Sequence, residues 1–269
     1  MKRWLVYTIG AVMATSVVAQ QTTPAVNGPV APAASSLTNK QLKKVLDLSV
    51  DWPQLSRYRE EDAALPPPAK GEKRVVFLGD SITDSWGRQH GKFFPGKPYV
   101  NRGISGQTTP QMLVRFQQDV LALHPAVVVV LAGTNDLAEN TGQEPMSAIE
   151  DNFRSMVMLA KANHVRVVLS SVLPATHFGW HPGMNPAEKI KELNAWLKNF
   201  CVEQKITFLN YYPAMVNADG GLKVELSIDG AVHPNDAGYA VMEPLAEHAI
   251  AEAMAKQKPF MARLCTCRL

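Results

Sequence analysis

Ser81 stands where a nucleophile could stand, in Gly79-Asp80-Ser81 directly after the apolar run Val75-Val76-Phe77-Leu78. A serine hydroxyl attacks a carbonyl only with a base to take its proton, an acid to orient the base, and donors for the developing oxyanion. His233, in Asp229-Gly230-Ala231-Val232-His233-Pro234-Asn235, is the one histidine that combines a nearby acid, a proline break and a helix start. It is the candidate base. Asp229 is the nearest acid able to orient it, and Asp236 is a second acid close by. Gly106, in Asn101-Arg102-Gly103-Ile104-Ser105-Gly106-Gln107-Thr108, can offer an unshielded backbone N–H. Asn135, in Gly133-Thr134-Asn135-Asp136, can offer a side-chain NH₂. Together these residues suit acyl transfer with no metal and no cofactor. Taken singly, each has a plainer use: a serine at a strand end caps a turn, and a glycine or asparagine shapes one.

The competing chemistry is metal-based. Asp80, Asp84 and Asp136 fall at strand ends, and His177 and His181 have H-x₃-H spacing. However, Gly179 and Pro182 interrupt any helix that would put the two imidazoles on one face. The three acids read as hydrogen-bond acceptors that hold loops.

These residues need a scaffold that gathers them. Strand-like apolar runs lie at 75–78, 99–100, 127–131, 165–170 and 206–209, and helix-like segments at 110–123, 146–163, 187–204 and 236–255. Thr109-Pro110 reads as a cap with proline at the first helical position, and Asn235 as the cap of the last helix. Val127-Val128-Val129-Val130-Leu131 has no polar alternation, as expected of a parallel strand covered on both faces. Strands alternating with helices predict an α/β fold with a mainly parallel sheet. Every candidate residue then lies at the carboxyl edge, where such sheets bind ligands.

Lys2 and Arg3 precede an apolar run from Trp4 to Val18, and small residues stand before Gln20. The pattern predicts a secretory signal peptide over 1–19, hence a periplasmic or secreted protein with no stable membrane insertion after cleavage. An uncleaved anchor is the alternative. Residues 20–38 are rich in Pro, Ala, Ser and Thr and read as a linker, 39–72 as a helical extension whose charged segment 57–62 packs across the domain, 73–256 as the catalytic domain, and 257–269 as a tail. The formal charge is +3, but several of the basic residues sit in the leader and tail. The remainder is near neutral with no basic stripe, which argues against nucleic acid as a partner. Of three cysteines, Cys201 falls on an apolar helical stripe, while Cys265 and Cys267 form an isolated C-x-C.

Four blocks in this order resemble the GDSL, or SGNH, hydrolases: Gly79-Asp80-Ser81-Ile82, Gly106 in its glycine block, Gly133-Thr134-Asn135-Asp136, and Asp229 with His233, within about residues 73–255. The α/β-hydrolase alternative requires G-x-S-x-G, which Leu78-Gly79-Asp80-Ser81-Ile82-Thr83 lacks. The resemblance implies a three-layer α/β/α sandwich with a flavodoxin-like sheet. It also implies ester hydrolysis through an acyl-serine, with the oxyanion held by Ser81, Gly106 and Asn135. In one respect the chain departs from the pattern, since three residues rather than two separate Asp229 from His233. An extra residue can bulge and keep the pair together, or displace the acid. Phe178 and Trp180, in a segment following a strand, are expected to overhang the site, where they stack on a sugar, line an acyl pocket or simply pack as a lid. The expected substrate is a small-molecule or glycan ester with a short acyl group, acetyl first. Lysophospholipase or thioesterase chemistry is the enzymatic alternative, and a non-catalytic carbohydrate-binding protein the alternative from another class.

Overall fold

The computed structural model describes residues 38–256. The expected signal peptide, nearly all of the expected linker, and the tail with Cys265 and Cys267 lie outside the described residues. The chain divides after Leu42 into two units, and the sheet and the candidate site belong to the one that begins at Lys43.

Five parallel strands form the sheet: β1 (Val75–Gly79), β2 (Tyr99–Gly103), β3 (Val127–Leu131), β4 (Arg166–Ser170) and β5 (Thr207–Leu209), in the order β2-β1-β3-β4-β5. The helices are α1 (Asn39–Val50), α2 (Arg59–Ala64), α3 (Ser81–Ser85), α4 (Thr109–Asp119), α5 (Thr134–Leu137), α6 (Met146–Ala162), α7 (Ala187–Gln204), α8 (Tyr212–Met215) and α9 (Asp236–Ala255). All five residues of β1 and of β3 are buried. Their side chains alternate between faces, as a pleated strand requires. Val76, Leu78, Val128 and Val130 pack with Met112 and Phe116 of α4, Phe153 of α6 and Leu193 of α7. Val75, Phe77, Val127 and Val129 pack with Tyr239, Met242 and Ile250 of α9. Two cores on one sheet make the three layers, and uninterrupted apolar strands follow from burial on both sides. None of the described helices is long and apolar enough to cross a membrane.

Strand order reverses between β1 and β3, and the crevice beyond their carboxyl ends is the switch point at which open α/β sheets place ligands. Ser81 follows β1 there, and Asn135 follows β3.

Several boundaries differ from the periodicity. β2 continues past Val100 to Gly103 because its ladder with β1 runs unbroken from Val75↔Tyr99 to Gly79↔Gly103. Asn101 and Arg102 are polar yet stay in the strand. Asn101 donates to the Thr83 carbonyl (2.6 Å), and Arg102 pairs with Asp62 (2.6 Å). The segment 110–123 is α4 plus a short 3₁₀ turn at Leu121–Leu123, because Val120 leaves helical backbone angles. The cap of α4 is Thr108, with Gln111 completing a capping box, so the cap falls one residue earlier than the Thr-Pro pair suggests. Asn235 caps α9 by accepting from Gly238 N–H at 2.9 Å.

Residues 51–64 form a strap along α4, and glutamines hold it by its backbone. Gln111, Gln107 and Gln118 donate to the carbonyls of Trp52 (2.8 Å), Pro53 (2.7 Å) and Leu55 (2.8 Å). The Tyr58 hydroxyl donates to the Gly103 carbonyl, and the Arg57 and Arg102 guanidinium groups lie over the Tyr58 ring.

Candidate active site

Ser81 is the first residue of α3, immediately beyond β1. The Asp80 carboxylate caps that helix by accepting from Ile82 N–H at 2.9 Å. Burial pushes the Asp80 carboxyl up to about 6 against that hydrogen bond. The strand thus delivers the hydroxyl, and the cap holds the turn that exposes it.

From 152 positions further along the chain, His233 brings Nε2 to 2.9 Å from Ser81 Oγ. Its other nitrogen, Nδ1, lies 2.5 Å from Asp229 Oδ2. The carboxylate accepts a hydrogen bond from Nδ1–H and so fixes the tautomer, and Nε2 presents a lone pair to the serine hydroxyl. The extra residue between Asp229 and His233 is absorbed by winding the loop around the carboxylate. Asp229 Oδ1 accepts from the N–H groups of Ala231 (2.9 Å), Val232 (3.0 Å) and His233 (3.1 Å). Gly230 permits this turn with φ +68°. The second acid is engaged elsewhere: Asp236 accepts from Gly91 N–H at 2.9 Å and faces His90 Nδ1 at 3.3 Å.

Burial alone would raise the Asp229 carboxyl, but hydrogen bonds from His233 and the Ala231 N–H hold it well below the usual carboxylate range. The Asp229 hydrogen bond, against burial, raises His233 above its ordinary value. Both shifts favour Asp229 as the carboxylate and His233 as the group that holds a proton.

Gly106 and Asn135 come together where the Asn140 amide contacts both. Gly106 has φ +83°, and a Cβ there would meet nothing within 4 Å, so its peptide is bare on that side. Asn135 is buried. Its Nδ2 donates to the Gln107 carbonyl at 3.0 Å, which leaves the second N–H of the amide. Its Oδ1 accepts from Asn140 Nδ2 at 2.8 Å.

The other acids hold loops. Asp136 accepts from Thr109 N–H (2.9 Å) and Thr109 Oγ (2.5 Å), joining the loop after β3 to α4, and burial pushes it up to about 7. Asp84 accepts from Ser105 Oγ at 2.8 Å, beside Gly106. His181 meets the Ala138 carbonyl through Nδ1 at 3.0 Å, and His177 lies beside Thr176.

Phe178 and Trp180 part company. Phe178 is 1% exposed and belongs to the core, so it stands behind the site rather than lining it. It backs Trp180, with ring centroids 5.2 Å apart. Trp180 is 44% exposed, and its ring centre lies 6.3 Å from that of His233. Of the two rings, that of Trp180 is the one presented beside His233.

Two features escaped sequence reasoning. Asn140 contacts Asn135, Gly106 and Trp180, but an asparagine in a turn carries no signal of its own. Arg115 is fully buried and donates to Gln107 Oε1 (2.5 Å), the Arg102 carbonyl (2.8 Å), the Gly79 carbonyl (3.0 Å) and Asp119 (3.1 Å). An arginine in an amphipathic helix would ordinarily face water.

Comparison with known proteins gives the family. The model of the GDSL-like lipase/acylhydrolase family matches residues 77–241. Platelet-activating factor acetylhydrolase IB subunit alpha2 of Rattus norvegicus is 29% identical over 184 residues, covering 65% of this chain and 76% of that protein. The structure of a GDSL-like lipase from Bacteroides thetaiotaomicron is 47% identical with TM-score 0.72, covering 75% of this chain and 98% of that one. An acetylxylan esterase from Geobacillus stearothermophilus shares the fold at 21% identity and TM-score 0.54, covering 72% of this chain and 100% of that one. The family match contains Ser81, Gly106, Asn135, Asp229 and His233, and spans more than half of the sequence. The chain belongs to the GDSL-like lipase/acylhydrolase family.

Proposed function

We propose that this protein is an exported serine esterase that removes short acyl groups, acetyl above all, from small-molecule or glycan esters. The observation that carries the reading is the hydrogen-bonded line Ser81 Oγ–His233 Nε2 (2.9 Å) and His233 Nδ1–Asp229 (2.5 Å). His233 takes the serine proton as Oγ attacks the ester carbonyl. The oxyanion is received by the Gly106 N–H, the free N–H of Asn135 and the N–H of Ser81, which as the first helical residue has no partner within its helix. His233 then protonates the departing alcohol. Water, deprotonated by the same imidazole, releases the acid from Ser81. Asp229 stabilises the imidazolium formed at each step.

The 29% identical relative is named for removal of an acetyl group, which supports the short acyl preference. The half-exposed Trp180 ring offers a stacking face of the kind that sugars use. The charged, apolar and small-residue pattern of 1–19 supports export to the periplasm or beyond.

Turnover of p-nitrophenyl esters from acetyl to decanoyl, with acetylated xylan beside them, tests the reading. Activity is expected to be highest on acetyl and to fall with chain length. Ser81→Ala should abolish both turnover and labelling by a fluorophosphonate while the protein stays folded. Retained turnover in that variant would overturn the assignment.

A further inference from the structure

We propose that Asn140 is a positioning residue that sets which way the Asn135 carboxamide faces, and that Trp180 acts on the reaction through it. The inference rests on the esterase reading above, in which Asn135 and Gly106 receive the oxyanion.

An indole nitrogen can only donate, so the atom of Asn140 that meets Trp180 Nε1 at 2.8 Å is its carbonyl oxygen. The Asn140 amide nitrogen then faces two oxygens, Asn135 Oδ1 at 2.8 Å and the Gly106 carbonyl at 3.3 Å. A reversed Asn140 would set oxygen against both oxygens and N–H against the indole N–H. With its own oxygen engaged, Asn135 must turn Nδ2 the other way. One proton goes to the Gln107 carbonyl at 3.0 Å, and the other is left for the reacting carbonyl. Indole, Asn140 and Asn135 therefore donate head to tail, an order in which each bond strengthens the next. The Gly106 carbonyl lies in the peptide after the one that carries the Gly106 N–H, so the Asn140 tether acts on the Asn135 donor and leaves the Gly106 donor to its own loop.

Trp180 stands 6.3 Å from His233, ring centre to ring centre. The Trp180–Asn140 bond acts through the Asn135 donor, which works on the oxyanion of the transition state, hence on kcat more than on KM.

The test uses p-nitrophenyl acetate with Asn140→Ala and with Trp180→Phe, which keeps a ring and removes the N–H. Each is made alone and in an Asn135→Ala background. Each single variant should lower kcat about threefold to tenfold, the range of one hydrogen bond, with KM unchanged because both keep a ring at position 180 and Tm unchanged because both side chains are exposed. Both effects should vanish once Asn135 is alanine, since nothing is left to orient. Full activity in the single variants, a change confined to KM, or losses that multiply with that of Asn135→Ala would overturn the inference. If Ser81→Ala and Asn135→Ala themselves retain activity, the esterase reading fails. If they lose it while Asn140→Ala does not, only the positioning role fails.

Discussion

His233 is pulled in two directions: the Asp229 hydrogen bond raises its proton affinity and burial lowers it, with the first prevailing. The base must be neutral to act, so kcat/KM falls as pH drops below a pKa lying above the ordinary 6.5. Asp229→Asn removes the main cause of the rise. Its acid limb should therefore move to lower pH, while kcat falls about 10⁴-fold, the loss expected when such an imidazole loses its acid. A pH–rate profile of the two proteins reads both effects; an unmoved limb would mean that another group orients the imidazole. The same pair contributes to stability. The raised His233 contribution is complete below the unfolded pKa and is lost as pH rises through the folded one. The depressed Asp229 contribution is present above its ordinary 3.8 and is lost as pH falls. The pair therefore stabilises the fold most between about pH 4 and 6.5.

At the level of elements, α3 must press on β2 for the serine to stand at the mouth of the crevice. Gly103 makes this possible: a Cβ there would lie 2.1 Å from Asp84 N and 2.6 Å from the Thr83 carbonyl carbon. Both are backbone atoms and cannot rotate away. Gly103→Ala should cost about 1–3 kcal/mol, as overpacking does, and should lower activity because α3 carries Ser81. Gly179→Ala is the control, since its Cβ would meet nothing within 4 Å and its effect should stay within about 0.5 kcal/mol. Denaturant midpoints together with kcat for the two variants distinguish a local displacement of α3 from general loss of stability.

In the whole molecule, Arg115 ties together β1, β2, the loop carrying Gly106 and, through Gln107, the strap at Pro53. Its guanidinium and the Asp119 carboxylate are both fully buried, 3.1 Å apart. Arg115→Met leaves a buried carboxylate unpaired and should cost about 3–5 kcal/mol by urea denaturation. Adding Asp119→Leu should recover much of that loss, because the unpaired charge rather than the missing bond dominates it. A double variant no more stable than the single one would assign the cost to the severed contacts with Gly79 and Gln107. The amino-acid sequence by itself determined the features that depend on near neighbours. The all-apolar β1 and β3, the spans Ala187–Gln204 and Asp236–Ala255, the Asn235 cap and the grouping of candidate residues at strand ends were all legible, since periodicity and capping are local properties. Tertiary structure alone decided what depends on distant ones. It set the length of β2, whose polar residues are held by ladder bonds to β1. It folded the loop from Asp229 to His233 so that the extra residue does no harm. It also sent Phe178 inward and left Trp180 at the site. Asn140 and Arg115 acquire their meaning only there, because a hydrogen bond is specified by which acceptor arrives, and theirs arrive from other elements.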